Sequence, residues 1–273
     1  MDLHKELYPS LFTKECENNP NIIVVYRIRG SKKIGYRIIE AKTEKLIEDQ
    51  LIGIEINDFL KNVSFKNVKA VIFNISDHDR EVSDVDYDVK MREKIATVLR
   101  SIKVPYLFVN DKTFAAMNAL MCATIVPKID ERILAITILI NKFSIIELLR
   151  KNNGYEIIER REIKCDKEDT NFKKLRSDIL GKNAPAKIIV TSLLPVFMHP
   201  EIMEKLKNHI LNSEFLIICD DEHVFTEKSD KNMLKIPCAV VRNLYDPNYT
   251  KQDTLGVWLR QSPQVQFHST TII

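Results

Sequence analysis

Between Ser76 and Asp88 the sequence places carboxylates at 77, 79, 81, 84, 86 and 88 against the single Arg80. Asp84, Asp86 and Asp88 have the alternate spacing of a calcium loop, in which side-chain oxygens collect around a hard cation. The sixth position of such a loop falls on Val89 instead of glycine and the twelfth on Ile95 instead of glutamate, so the EF-hand reading fails. Two readings remain. Carboxylates gather ahead of helix N-termini, where the macrodipole favours negative charge, or they form an acidic contact surface for a basic protein partner. The Arg27 guanidinium and the hydroxyls of Thr191 and Ser192 could meet an anion, although strand-end arginines and hydroxyls more commonly serve as solvated or capping groups. Cys219 and His223 are four apart, with no second pair to complete a closed zinc site, so no metal is expected. Neither GxSxG nor GxGxxG occurs, which leaves a nucleophile-elbow hydrolase and a Rossmann oxidoreductase without their motifs.

These residues hang on an alternation of short apolar runs and helical faces. Residues 21–29 and 34–40 read as a hairpin turning at Gly30, followed by a third strand over 46–54 and a brief helix over 57–61. Val68–Ile75 is rich in β-branched residues, as a strand buried on both faces requires. Met91, Ile95, Val98, Leu99 and Ile102 mark one face of a helix. Pro105 leads into a strand over 106–109, and Asp111 or Thr113 is placed to cap a helix from Phe114 to Ala123. Arg132–Leu149 is a long β run whose Asn141-Lys142 makes a workable turn. Strands over 155–162, 187–190 and 215–219 follow, with a charged helix between 164 and 182 and an amphipathic one opening at Pro200. A strand, a helix and a returning parallel strand make the crossover unit of a layered α/β domain.

Composition agrees with a globular chain. At 273 residues, 45% hydrophobic and 29% charged, it can bury one large core or two moderate ones. A net charge of +3, from 41 basic and 38 acidic residues, indicates neither nucleic acid nor membrane as a partner. No run approaches the ~20 apolar residues of a membrane span, and the N-terminus lacks the apolar core of a signal peptide. The scattered cysteines, without CxxC spacing, read as reduced thiols of an intracellular protein, cytoplasmic or nuclear. No internal repeat is evident in the sequence.

From Lys69 to Ala123 the order of segments resembles the first lobe of the 70-kDa heat-shock chaperones, members of the actin-like ATPase superfamily. That family's Asn-Glu-Pro-Thr-Ala-Ala-Ala segment aligns with Asn110-Asp111-Lys112-Thr113-Phe114-Ala115-Ala116. Its second lobe opens where Arg132-Ile133-Leu134-Ala135-Ile136 stands here. The resemblance implies a two-lobed α/β protein of actin-like ATPase (ribonuclease H-like) fold, reduced in size. It divides into an extension over 1–20, a first lobe over 21–128, a second over 129–260 and a tail over 261–273, with no peptide-binding domain following.

The same resemblance marks a nucleotide cleft and shows it degraded. The family's Asp-Leu-Gly-Thr-Thr turn aligns with Arg27-Ile28-Arg29-Gly30-Ser31, so a guanidinium replaces the carboxylate that would order magnesium waters. Its Asp-Leu-Gly-Gly-Gly-Thr hairpin aligns with Thr137-Ile138-Leu139-Ile140-Asn141-Lys142, bulky where backbone amides must approach phosphate. Its third glycine turn aligns with Val190-Thr191-Ser192, and the glycine of its last helix with Gly256, in a helix expected over 253–259. Asp111 keeps an acid near the phosphates, where helix capping is the plainer role. The expectation is therefore a pseudo-ATPase acting as an interaction or scaffold protein, without cofactor and with a protein partner of unknown identity. The alternative is a chaperone-like ATPase binding ATP with magnesium through Arg27, Arg29, Lys142, Thr191 and Ser192.

Overall fold

The computed structural model describes residues 13–28, 31–74, 85–109, 111–123, 125, 127–139, 142–151, 154–164, 171–182, 184–192, 200–211, 215–218, 234–242, 245 and 259–261. The chain divides into two compact units: Met1–Phe114 with Met233–Asn248, and Ala115–Asn232 with Tyr249–Ile273. The division falls inside a helix, at 114/115, where the sequence reading put it at 128/129. It also returns residues 233–248 to unit 1.

Unit 1 is built on a five-stranded sheet. Its strands are β1 (Asn21–Arg27), β2 (Ile34–Glu40), β3 (Lys45–Ile54), β4 (Val68–Asn74) and β5 (Tyr106–Val109), in the order β3-β2-β1-β4-β5. β1 pairs antiparallel with β2, and β2 with β3, whereas β4 runs parallel to β1 and β5 parallel to β4. Preceding the sheet is α1 (Lys14–Glu17); α2 (Ile56–Asn62) joins β3 to β4, and α3 (Val85–Ser101) joins β4 to β5. Alternation sets the core: Ile23, Val25, Ile34, Tyr36, Val71 and Phe73 point to one face and bury against Phe59, Ile95 and Leu99 of the two helices. A further helix over 234–242 also belongs to this unit. It is anchored by Arg242 Nη2 donating to Ala41 O at 3.1 Å and to Glu44 Oε1 at 3.0 Å. Tyr245 Oη donates to Lys69 O at 2.8 Å. Pro237 lies in its first described turn, where a missing N–H is best tolerated.

Unit 2 repeats this plan. β6 (Arg132–Ile138), β7 (Lys142–Lys151), β8 (Gly154–Lys164), β9 (Lys187–Ser192), β10 (Leu216–Ile218) and β11 (Leu259–Gln261) form a six-stranded sheet in the order β10-β9-β6-β7-β8-β11. β6, β7 and β8 are antiparallel neighbours, and β9 and β10 run parallel to β6, as β4 and β5 do to β1. The one addition is β11, parallel to β8 on the outer edge. Leu134, Ile136, Ile138, Phe143 and Ile145 bury against Leu175 and Ile179 of α5 (Phe172–Leu180) and Ile202 of α6 (Pro200–Lys205). α6 widens into a π-helical turn over Leu206–Ile210, whose Leu206 and Ile210 are also buried. α4 (Asp111–Ala123) leads into this unit and is buried on most sides, through Phe114, Ala116, Met117, Ala119, Leu120, Met121 and Cys122.

Most expected segments are found within a residue or two. α3 begins at Val85, ahead of the expected Met91, because its polar opening turns carry no periodic apolar face. α4 opens at Asp111, so that residue lies in the first turn and not before it. Leu259, expected to end a helix, opens β11 instead, pairing with Tyr155. The remaining residues of that expected helix, Gly256 included, lie outside the described residues.

Candidate functional site

In open α/β sheets ligands collect at the carboxyl ends of parallel strands, so the ends of β1 and β4 in unit 1 and of β6 and β9 in unit 2 are the places to examine. In unit 1 the β1–β2 turn is closed by its own polar groups. Arg27 Nε donates to Ser31 O at 3.1 Å, and Ile28 N donates to Lys33 O at 3.0 Å. Ser31 N donates to Ile28 O at 3.1 Å, while Ser31 Oγ accepts from Lys33 N at 3.0 Å. Arg27 is therefore folded back on the turn it ends. Arg29 and Gly30 lie outside the described residues.

Beside this turn, Tyr26 is registered against Gly35 on β2 and Asn74 on β4. A Cβ on Gly35 would meet the Tyr26 ring at 2.6 Å, so glycine here makes room for the ring. Arg37 lies 5.9 Å from the centre of that ring and pairs with Asp49 at 3.1 Å. Burial, with the Asp49 charge, raises the Tyr26 hydroxyl above its ordinary pKa, and Arg37 opposes the rise. Asn74 Oδ1, at the carboxyl end of β4, is buried without a hydrogen-bond partner. Sequence reasoning passed over Asn74, whose signal was an amide ending an otherwise apolar strand.

In unit 2 the corresponding hairpin closes without glycine. Leu139 N donates to Lys142 O at 2.9 Å, and Lys142 Nζ pairs with Glu162 Oε2 at 2.8 Å across the sheet. Thr137 is only 8% exposed and is registered between Ser144 on β7 and Thr191 on β9, so the three form a row of buried hydroxyl residues. Thr191 Oγ1 donates to Ile136 O at 3.5 Å, which turns it into the sheet. Ser192 ends β9 opposite Ile138. Asn141 lies outside the described residues.

Of the acidic run, Asp86 and Asp88 fall in the opening turn of α3, while Asp84 lies outside the described residues. Cys219 and His223 lie outside them as well. Among the described residues no group of three or more His, Cys, Asp or Glu is placed to hold a metal ion. Among the described residues of the two hairpin turns, Arg27 is folded back on Ser31 O and Thr137 is buried within the sheet.

Sequence reasoning also missed the most buried charge among the described residues of unit 2. Glu147 is 2% exposed and lies on the core face of β7. Its carboxylate meets Arg132 Nη1 at 2.5 Å and Arg161 Nη1 at 3.5 Å, and Arg161 Nη2 donates to Ile179 O at 2.9 Å near the end of α5. Gly181, at φ 68°, follows that helix, where an added Cβ would strike Arg161. The cluster ties β6, β7 and β8 to α5. Its signal was a lone glutamate inside the run Phe143–Leu149.

No protein-family model and no curated protein matches the chain. Among solved structures it is similar to a Bacteroides thetaiotaomicron protein with actin-like ATPase fold and unknown function, at 10% identity over 82% of this chain and 98% of that one, TM-score 0.41. It is similar to an exopolyphosphatase from Cytophaga hutchinsonii at 12% identity, over 62% and 65% of the two chains, TM-score 0.31. A Ppx/GppA family member from Aquifex aeolicus shares 10% identity over 83% and 90%, TM-score 0.32. Among the described residues no helix is long and apolar enough to cross a membrane. The described residues form a mixed α/β fold with two sheets of one strand order, in a chain of 273 residues.

Proposed function

We propose that this chain is a non-catalytic pseudo-ATPase, an interaction or scaffold protein that keeps the sheets of an ATPase fold and has given up the phosphate turns. The observation that carries the reading is the β6–β7 hairpin. There Leu139 N donates to Lys142 O and the Lys142 ammonium is held by Glu162, so the described ends of the turn are engaged with the sheet itself. The resemblance to the 70-kDa heat-shock chaperones supports the same reading. In that family three glycine turns hold the nucleotide, and here they read Arg27–Ser31, Thr137–Lys142 and Val190–Ser192.

A thermal melt tests the proposal directly. Magnesium-ATP at millimolar concentration leaves Tm unchanged, because a ligand that binds only the native state must raise it. A clear upward shift overturns the proposal. A gain of binding in Leu139→Gly would locate the loss in side-chain bulk at that turn. The acidic run is the proposed partner surface, and charge reversal at Asp84, Asp86 and Asp88 is expected to lose a basic partner captured by the wild type. Equal capture by both forms would remove the run from consideration.

Asn74 favours a second reading, in which a ligand bearing a hydrogen-bond donor is held at the carboxyl end of β4. A buried acceptor left unpaired costs about 1–3 kcal/mol, and a ligand N–H would recover it. The same melt decides between the two.

A further inference from the structure

The two sheets guard their outer edges differently. In unit 2 the edge strand β8 is covered at Tyr155–Ile157 by β11, and its uncovered end reads Glu159-Arg160-Arg161-Glu162-Ile163-Lys164, a charged stretch of the kind that discourages strand addition. In unit 1 the matching edge strand is β3, and among the described residues it pairs with β2 alone. Its two acids are already engaged: Glu48 accepts from Tyr36 Oη at 2.6 Å and Asp49 is held by Arg37. Apart from these and the exposed Lys45 at its start, what β3 leaves outward among the described side chains is apolar. Leu46 is 43% exposed, Ile47 57% and Ile52 77%.

These residues are arranged symmetrically about Asp49. The run Leu46-Ile47-Glu48-Asp49-Gln50-Leu51-Ile52 has apolar residues two and three positions away on either side, with polar residues at the centre. The pairing with β2 is regular over Glu48, Asp49 and Gln50 and shifts register on both flanks. Such irregularities turn flanking side chains out of the pleat. An edge whose pattern reads the same in both directions is complementary to itself when run antiparallel.

We infer that β3 is a self-association edge, pairing antiparallel with β3 of a second copy about a two-fold axis at Asp49. An axis perpendicular to the sheet keeps every side chain on its own face, which requires pairs equidistant from the centre. Leu46 then lies opposite Ile52 of the other copy, Ile47 opposite Leu51, and Glu48 opposite Gln50. The two Asp49 carboxylates approach each other at the axis, each neutralised by the Arg37 of its own copy. The contact is small and rests on the apolar pairs at its two ends, so it assembles and dissociates with concentration. This assignment is independent of the strand-end residues and of nucleotide.

Sedimentation of the full chain over a concentration series reads the association. A dimer that grows with concentration is expected, lost in Ile52→Lys with Tm unchanged, since that side chain meets mostly solvent. A monomer at every concentration overturns the inference, as does a dimer that survives Ile52→Lys. Register is read by oxidising a mixture of two single variants, Leu46→Cys and Ile52→Cys, against the wild type as background. The mixture is expected to give the crosslink, because opposed residues lie within disulfide reach. Each variant alone is expected to give none, because like positions would stand about 20 Å apart along the strands. Crosslinking within either variant alone overturns the antiparallel register.

Discussion

Unit 1 fills its core with rings, and unit 2 fills a sheet of the same strand order with aliphatic side chains and one buried ion cluster. In unit 1, Phe59 lies 5.5 Å from Tyr36, 5.7 Å from Phe65 and 6.3 Å from Phe73, and Phe108 lies 5.2 Å from Phe73. In unit 2 the buried set is Leu, Ile and Val around Phe143, and the polar investment goes into Glu147 with Arg132 and Arg161. The comparison teaches that strand order is set by which positions are buried and not by what is buried there. Aromatic pairs add directional contact to apolar burial. A buried carboxylate instead depends on keeping its partners, since its desolvation is offset only while both arginines stay in place.

Paired substitutions should break the comparison most sharply. Phe59→Ala is expected to lose about 3–5 kcal/mol through the cavity it leaves in unit 1. Glu147→Ala is expected to lose a similar amount, about 3–5 kcal/mol, by stranding the arginines of unit 2. Hydrogen exchange should assign the first loss to β1 and β4 and the second to β6 and β7. Equal loosening of both sheets by either variant would end the view of two separately built cores.

A smaller effect is expected in alkali. Burial and the Glu48 hydrogen bond push the Tyr36 hydroxyl up to about 12 from its ordinary 10.0, and burial pushes the Cys238 thiol up to about 12. A folded-state pKa above the unfolded one holds its stabilisation at lower pH and releases it as pH rises through the folded value. Tm should therefore fall between about pH 9, where an unfolded thiol begins to ionise, and about 12, and Tyr36→Phe should make that fall shallower above pH 10. In unit 2 burial also raises Tyr155, but Arg150, 5.1 Å from its ring, opposes the rise. Tyr155→Phe should alter the slope less than Tyr36→Phe, and the reverse ranking would contradict the account. Smallest of all, Lys142→Ala removes an exposed pair and should change stability by less than about 1 kcal/mol in a denaturant titration.

The strands themselves were largely legible because each carried its own apolar pattern. β4 and β9 read as buried runs, and the β1–β2 and β6–β7 hairpins read from their turns. The doubling of the sheet was legible only through the resemblance to a two-lobed family, since Ile23, Val25 and Phe73 do in unit 1 what Leu134, Ile136 and Val190 do in unit 2 without sharing identity. The helix over 234–242 was hidden by Pro237, which reads as a breaker until its place in the first turn is known. Of the candidate site, Arg27, Leu139 and Lys142 stand at or beside the hairpin turns, and their hydrogen-bond partners could not be read from sequence. Ser31, Lys33 and Glu162 become partners only once the strands are in register. Asn74 escaped for the same reason: burial of its amide depends on neighbours distant in the chain.

The return of residues 233–248 to unit 1 bears on how the polypeptide is made. On a ribosome the five strands of unit 1 emerge well before Arg242 and Tyr245, whose side chains fasten to Ala41, Glu44 and Lys69. The first sheet must wait, incompletely fastened, through the synthesis of nearly all of unit 2. Translation pauses placed before that helix would lengthen the wait, and a nascent chain held there is the form most in need of a folding helper.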